Sequence, residues 1–358
     1  MGRTVLVTGV SRHVGSRLVH RLNDEPGVDR VIGIDVVPPR SDLGRAEFVR
    51  ADIRNPIIAK VIGAAEVDTV VHLSVNSAGP GSGGASAKEL NVIGTMQLLA
   101  ACQKAPSLRR LIVKSTTTVY GASAKDPALF TEAMEPVVPP RAGFAKDAIE
   151  VETYVRGFAR RRADVGVCVL RFANFIAPDV DSPFTRLFTL PVIPTVLGHD
   201  ARLQFVHFED ALEVLRRAVV GDHHGVFNVA GEGVLLLSQA ARRAGRPTLP
   251  VPGPTVSTLG GLARRIGAFH LSGEIVQYLT HGRAVDTTRL SRVFGYVPRM
   301  STAEAFDDFL AARGRGPITP DRVGAAADRA FDLVRSVTRF VPSPRLAVPA
   351  GLRGNADD

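Results

Sequence analysis

The chain has 358 residues and a mass of 38.2 kDa, too long for one compact core and suited to two unequal lobes. Hydrophobic residues make up 45% and charged residues 22%, which excludes a wholly disordered, collagen-like or coiled-coil chain. A net charge of +9 raises nucleic acid, an acidic membrane surface or an anionic substrate as partners. The excess is arginine, 38 against six lysines, and it is spread along the chain. With no zinc-finger spacing, RNA-binding aromatic signature or dense basic arm, nucleic acid is not an expected partner.

The opening residues MGRTVLVTGV form a short apolar strand ending in Thr-Gly, without the longer apolar region and cleavage site of a signal peptide. The best apolar stretch, Leu187 to Gly198, is broken by Pro191 and Pro194, so no membrane span is expected. Cys102 and Cys168 each sit in an apolar pattern and read as buried, reduced thiols. These features point to a cytoplasmic protein. No metal-ligand spacing, paired carboxylates or Ser/His/Asp arrangement is recognisable, so neither a metal site nor hydrolase chemistry is expected.

Strand and helix patterns alternate from the start. Strands are predicted at Thr4 to Thr8, Arg30 to Asp35, Glu47 to Val49, Thr69 to Leu73, Leu111 to Lys114 and Val167 to Phe172. Helical spacing fills the gaps at Val14 to Asn23, Ile57 to Ala65, Ala87 to Lys104 and Phe144 to Arg161. The sum is an α/β chain with a doubly wound parallel sheet. After Asn174 the elements shorten and prolines intervene, but a helix at Glu209 to Val220 and a strand at Val226 to Val229 resume the first rhythm. The domain reading is therefore 1–174 plus about 205–231 as the nucleotide-binding unit and about 175–204 plus 232–312 as a smaller, discontinuous α/β substrate lobe. Residues 313–358 read as a polar segment with a helix near Pro320 to Arg339 and a disordered tail.

Thr8 to Ser16 reads TGVSRHVGS at a strand end that runs into a helix start, where backbone N–H groups and the helix dipole favour a pyrophosphate. Gly9 permits the tight turn and Gly15 the close helix packing. Asp35, twenty residues beyond Gly15, closes the second strand, where a carboxylate binds adenosine ribose hydroxyls. Strand, loop, helix, strand and acid in that order predict dinucleotide binding.

With further motifs the chain resembles the extended short-chain dehydrogenase/reductase superfamily, in its NAD-dependent epimerase/dehydratase branch, over residues 3 to 312. Ala51-Asp52-Ile53 resembles the pair that lies against adenine, and Val71-His72-Leu73-Ser74 resembles the HLAA strand. Asn91 to Thr95 resembles the NVxGT signature, Ser115 to Gly121 resembles SSxxVYG, and Leu170 to Pro178 resembles LRxxNxYGP. The chain is similar to an actinobacterial subgroup labelled as possible UDP-glucose epimerases. The resemblance implies a Rossmann fold with NAD held by Gly9, Ser11, Arg12, His13, Val14, Gly15, Asp35, Asp52, Ile53, Leu73, Asn91 and Lys146. It implies a nucleotide sugar or related hydroxylated substrate held by Ser74, Thr116, Asn174, Arg202 and Arg283. It also implies a homodimer paired through the helices at Ala87 to Lys104 and Phe144 to Arg161.

Departures from the pattern carry as much information. Arg12 stands where the family loop has its middle glycine, or His13 where the shorter branch has it. Arg12 beside the ribose would suit the 2′-phosphate of NADP, whereas Asp35 would repel it, so NAD is favoured and NADP stays open. The family moves the hydroxyl proton with a tyrosine whose pKa is lowered by a lysine four residues on, helped by a serine or threonine. Thr116 and Lys146 match the last two, as the catalytic pair. Ala142 occupies the tyrosine position and cannot exchange a proton. Two functions therefore follow: an epimerase, dehydratase or reductase with an altered site, or a dinucleotide-binding sensor or partner protein without turnover. Tyr120, Lys114, His72 and Tyr154 are the ionisable groups nearby in sequence. The loop Ser77 to Ser86 reads as a lid or a solvated linker, and Leu259, Leu262, Ile266 and Phe269 as a helical apolar face.

Overall fold

A computed structural model describes residues 2–75, 88–252 and 273–316. Its frame is a seven-stranded sheet in the order β11-β6-β5-β4-β1-β2-β3, parallel throughout. The strands are β1 (Arg3–Thr8), β2 (Val28–Asp35), β3 (Glu47–Arg50), β4 (Thr69–His72), β5 (Arg110–Thr116), β6 (Gly166–Phe172) and β11 (Gly225–Val229). The central strands are continuous apolar runs because both faces of the sheet are covered.

Alternation assigns the two faces. Val5 and Val7 of β1 join a cluster with Leu18, Val19 and Leu22 of α1 (His13–Asn23) and with Leu212 and Leu215 of α6 (Phe208–Val220). Leu6 faces the other way, toward Ile58 and Ile62 of α2 (Ile57–Ala64), Leu98 of α3 (Gly94–Gln103) and Val151, Val155 and Phe158 of α4 (Gly143–Arg161). Helices on both faces of a parallel sheet make this the expected Rossmann architecture. The strand order reverses between β1 and β4, so a crevice opens outside their carboxyl ends, the place where such sheets take ligands.

The helix expected over Ala87 to Lys104 is, within the described residues, a π-turn at Glu89–Ile93 leading into α3. A Cβ at Gly94 would stand 2.7 Å from Ile53 Cδ1, so this helix crosses closely over the segment after β3. Beyond β6 the chain forms three short pairs: β7 (Asn174–Ile176) with β10 (Phe205–His207), β9 (Arg202–Leu203) with β12 (Leu235–Leu236), and β8 (Ile193–Val196) with β13 (Thr248–Val251). A third apolar cluster joins Ile176, Phe188, Leu203 and Phe205 to Tyr278 of α8 (Gly273–His281) and Phe306 of α10 (Thr302–Arg313).

Asp210 does not hold the start of α6 as its position suggests. His207 caps that helix by accepting from the Glu209 N–H, whereas Asp210 accepts from the Tyr296 hydroxyl at 2.6 Å and the Arg299 N–H at 2.9 Å. The loop Ser77 to Ser86, the apolar residues Leu259, Leu262, Ile266 and Phe269, and the expected C-terminal helix and tail lie outside the described residues. Among the described residues no helix is long and apolar enough to cross a membrane, and no His/Cys/Asp/Glu group is arranged to hold a metal.

Candidate active site

The crevice begins at the loop between β1 and α1. Gly9 has φ +80°, and a Cβ there would lie 3.2 Å from the backbone nitrogen of Ser74, so the loop rests directly on the end of β4. At Gly15 a Cβ would stand 2.2 Å from the Gly9 carbonyl oxygen. Only glycine lets α1 begin this close to the loop. Asp35 is fixed at the end of β2: one carboxylate oxygen accepts from the Ser11 N–H at 3.0 Å and the other from the Val36 N–H at 2.8 Å. The Ser11 hydroxyl donates to the Val37 carbonyl. A cradle that an added Cβ would fill, flanked by a pinned carboxylate, fits a dinucleotide.

The other loop residues divide. Arg12 is exposed at the N-cap of α1. The His13 ring stacks on Phe208 at 4.5 Å and meets Asp179 at 2.9 Å, so it links the loop to the segment after β7. Val14 is half-buried against the first cluster. After β3 Ile53 is buried, and Asp52 is gripped by Arg54 at 2.6 Å, a contact that holds its pKa down.

A buried polar chain supports the floor. The His72 ring lies 2.9 Å from both the Thr8 and Thr95 hydroxyls, Thr95 donates to the Asn91 carbonyl, and Asn91 donates to Asp147 at 3.4 Å. The Leu73 N–H donates to Thr8 at 3.2 Å. Burial pushes His72 down to about 3, so it is neutral and held between hydroxyls, not poised to carry protons. Lys114 donates to the Val75 carbonyl at 2.8 Å, and burial with the Arg12 guanidinium pushes it down to about 8.

Thr116 ends β5, half-buried, its hydroxyl accepting from the Thr118 N–H at 3.2 Å. Lys146 lies in the first turn of α4, with its ammonium 3.7 Å from Glu150. Ala142 is the exposed N-cap of that helix. Tyr120 is committed elsewhere: it is buried, donates to Asn228 at 2.8 Å, accepts from Arg171 at 2.7 Å, and has its pKa raised by burial.

One residue the sequence did not single out meets the start of α4 next to Ala142. Glu274 of α8 accepts from the Ala145 N–H at 3.0 Å, and a Cβ built on Gly143 would lie 2.4 Å from its carboxylate oxygen. The carboxylate thus abuts the residue that follows Ala142. Burial raises its pKa, opposed by the Ala145 N–H and by Arg283. No local pattern in GEIVQYLTH marks it. The same helix supplies Tyr278, which is hydrogen-bonded to Asn174 and lies under the Arg283 guanidinium at 5.0 Å.

Arg283, buried, donates to the Gly121 carbonyl at 2.5 Å and reaches Thr117, the neighbour of Thr116, at 3.4 Å. Asn174 and Arg283 are thereby brought together beside the end of β5. The Arg202 carbonyl accepts from the Arg283 N–H at 2.9 Å, while its guanidinium turns away, donating to the Ala128 carbonyl at 2.8 Å and that of Pro127 at 3.3 Å.

A fold and crevice of this kind define a class, and comparison with known sequences identifies it. A profile of the NAD dependent epimerase/dehydratase family matches residues 5–230. The chain belongs to that family. It is 50% identical over 339 residues to the uncharacterized protein Rv0501 of Mycobacterium tuberculosis, covering 93% of this chain and 90% of the relative. UDP-glucuronic acid decarboxylase 2 of Arabidopsis thaliana is 26% identical over 261 residues, 67% of this chain and 56% of that protein. Among solved structures, a UDP-glucose-4-epimerase from Stenotrophomonas maltophila with bound NAD superposes with a TM-score of 0.67 at 18% identity, over 87% of this chain and 98% of that one. The UDP-glucose 4-epimerase of Thermotoga maritima gives 0.64 at 20% identity, over 86% and 98%.

Proposed function

We propose that the protein binds NAD in the β1–β4 crevice and acts on a nucleotide sugar or related hydroxylated compound as an epimerase, dehydratase or reductase with an altered proton acceptor. The observation that carries this reading is the cradle of Gly9, Gly15 and pinned Asp35 at the carboxyl edge of the sheet, the edge at which β5 ends in Thr116, in a chain of this family. Gly9, Ser11, Arg12, Val14 and Gly15 would hold the pyrophosphate and Asp35 the adenosine ribose, while Asp52, Ile53, Leu73 and Asn91 form the walls. Such a cofactor supplies hydride acceptance and return at a carbinol carbon. Thr116 orients the reacting oxygen. Glu274, set against Gly143, takes the hydroxyl proton where the family uses a phenol, and Arg283 and Asn174 hold the substrate's charged and polar groups. The relatives support the substrate class through their names alone.

Ala142 favours a second reading, a dinucleotide-binding sensor or partner protein without turnover. Incubating the purified protein with NAD and a panel of UDP- and TDP-sugars, with product analysis and absorbance of reduced nicotinamide, separates the two. Turnover by the native chain is the expected outcome. A native chain inert on every sugar, with an Ala142→Tyr variant that turns one over, would establish the second reading instead.

A further inference from the structure

Strand β5 alternates between the two faces of the sheet: Leu111 and Val113 pack in the cluster with α4, and Ile112 packs in the cluster with α1. Lys114 and Thr116 continue the Ile112 face, so a lysine stands on the α1 side of the sheet two residues before the threonine at the substrate position. An aliphatic side chain would continue the pattern at no desolvation cost; the sequence places a cation there. Its ammonium donates to Val75 at 2.8 Å, just past the Leu73–Ser74 backbone against which Gly9 packs. Arg12 stands on that same loop, its N–H donating to the Gly9 carbonyl at 3.2 Å, and its charge opposes that of the lysine. Two cations drawn together at a crevice are unfavourable alone and become favourable when a dianion binds there.

We propose that Lys114 and Arg12 form a two-cation site for the diphosphate of the dinucleotide, offsetting the middle glycine that Arg12 displaces from the loop. This assignment rests on the cofactor reading above. It turns the departure at Arg12 into a coupled device: the arginine replaces part of the backbone approach, and the lysine rises from β5 to complete the neutralisation. His72 on β4 points to the opposite face of the sheet, toward Thr95 of α3, and with its pKa down at about 3 it is neutral through the working range. On α1, His13 faces Asp179 at 2.9 Å and Arg17 faces Glu209 at 2.6 Å.

The sign of the linkage is fixed. In the free protein Lys114 sits at about 8, and a bound dianion raises it, so NAD binding takes up a proton above that pH and weakens as pH rises. The experiment is calorimetric titration of the full chain with NAD between about pH 7 and about pH 9.5, in buffers of different ionisation enthalpy, with Lys114→Met and Arg12→Gln alongside. The expected result for the native chain is uptake of roughly half a proton at about pH 8 and an affinity falling by up to about tenfold per pH unit above it. Lys114→Met should bind about tenfold or more weakly at neutral pH with no pH dependence. Arg12→Gln should weaken binding while moving the midpoint upward, because the charge that opposes Lys114 is gone. NAD binding with no proton uptake, or native affinity in Lys114→Met, overturns the assignment and leaves the cofactor reading standing. Failure to bind NAD at any pH removes both. Should Lys114→Met fail to fold by circular dichroism, proton uptake by the native chain decides alone.

Discussion

Ala142 leaves the first turn of α4 without a phenol, and Glu274 is the group proposed to stand in for it. Glu274 both caps the helix through the Ala145 N–H and carries a carboxyl whose pKa is raised by burial. A Glu274→Gln side chain still accepts that N–H through its amide oxygen, so the fold should survive while proton exchange is lost. With the cofactor and a productive sugar, kcat should fall by roughly two to four orders of magnitude with NAD affinity unchanged. The base must be ionised, so activity should rise with pH through the Glu274 pKa, with an acid limb above the ordinary carboxylate range. Native kcat in Glu274→Gln would return the role to another group. At this scale the sequence was readable where the chemistry is local: Gly9, Gly15 and Asp35 lie within one strand–helix–strand unit. Glu274 was not, because it meets Ala145 from 129 positions away along the chain and no spacing rule links them.

Among the elements, the pairing of α1 with α6 is held by charge above an apolar contact. Glu213 of α6 receives Arg216 at 2.9 Å and Arg217 at 2.8 Å, Arg216 also reaches Glu25 at 2.8 Å, and Glu209 receives Arg17 at 2.6 Å together with Arg21. Hydrogen bonds from Arg216 and Arg217 hold the Glu213 carboxyl down to about 2. A depressed carboxyl stabilises the fold above its unfolded pKa and loses that contribution as pH falls through the folded value. Glu213→Gln should therefore cost on the order of 2–3 kcal/mol at neutral pH. The difference should shrink between about pH 4.5 and about pH 2, as read from denaturant melts across that range. Equal melts at neutral pH would show that the arginines are as well satisfied by water. The elements themselves were legible because central strands buried on both faces are unbroken apolar runs. Strand β5 was read two residues short, ending at Lys114 instead of Thr116, because Ser115 and Thr116 are polar; the Ser115 hydroxyl is buried against Glu152 of α4. The ion pairs between α1 and α6 join residues about 190 positions apart, beyond any helix periodicity.

For the molecule as a whole, the outer face of α3 and α4 leaves apolar side chains uncovered in the monomer. Ile93, Met96 and Tyr154 are exposed there, beside a groove lined by Leu99, Ala100 and Gln103. We propose that a second copy packs on this face about a two-fold axis, burying roughly 800 Å² on each partner. The basic excess of the chain bears on this contact. Arg156, Arg160 and Arg161 flank the apolar strip on α4, and a two-fold axis brings them toward their own copies, so like charges oppose an association that apolar burial drives. Salt screens the first term and leaves the second, with a Debye length of about 10 Å at 0.1 M shrinking to about 3 Å at 1 M. Light scattering at micromolar concentration should therefore give a dimer whose dissociation constant tightens as salt is raised, the opposite of an interface built on ion pairs. Met96→Glu should return the chain to a 38.2 kDa monomer without altering NAD binding, since the crevice lies at the carboxyl edge of the sheet. A monomer at every salt concentration would refute the contact, and a dimer that weakens with salt would place it on another surface.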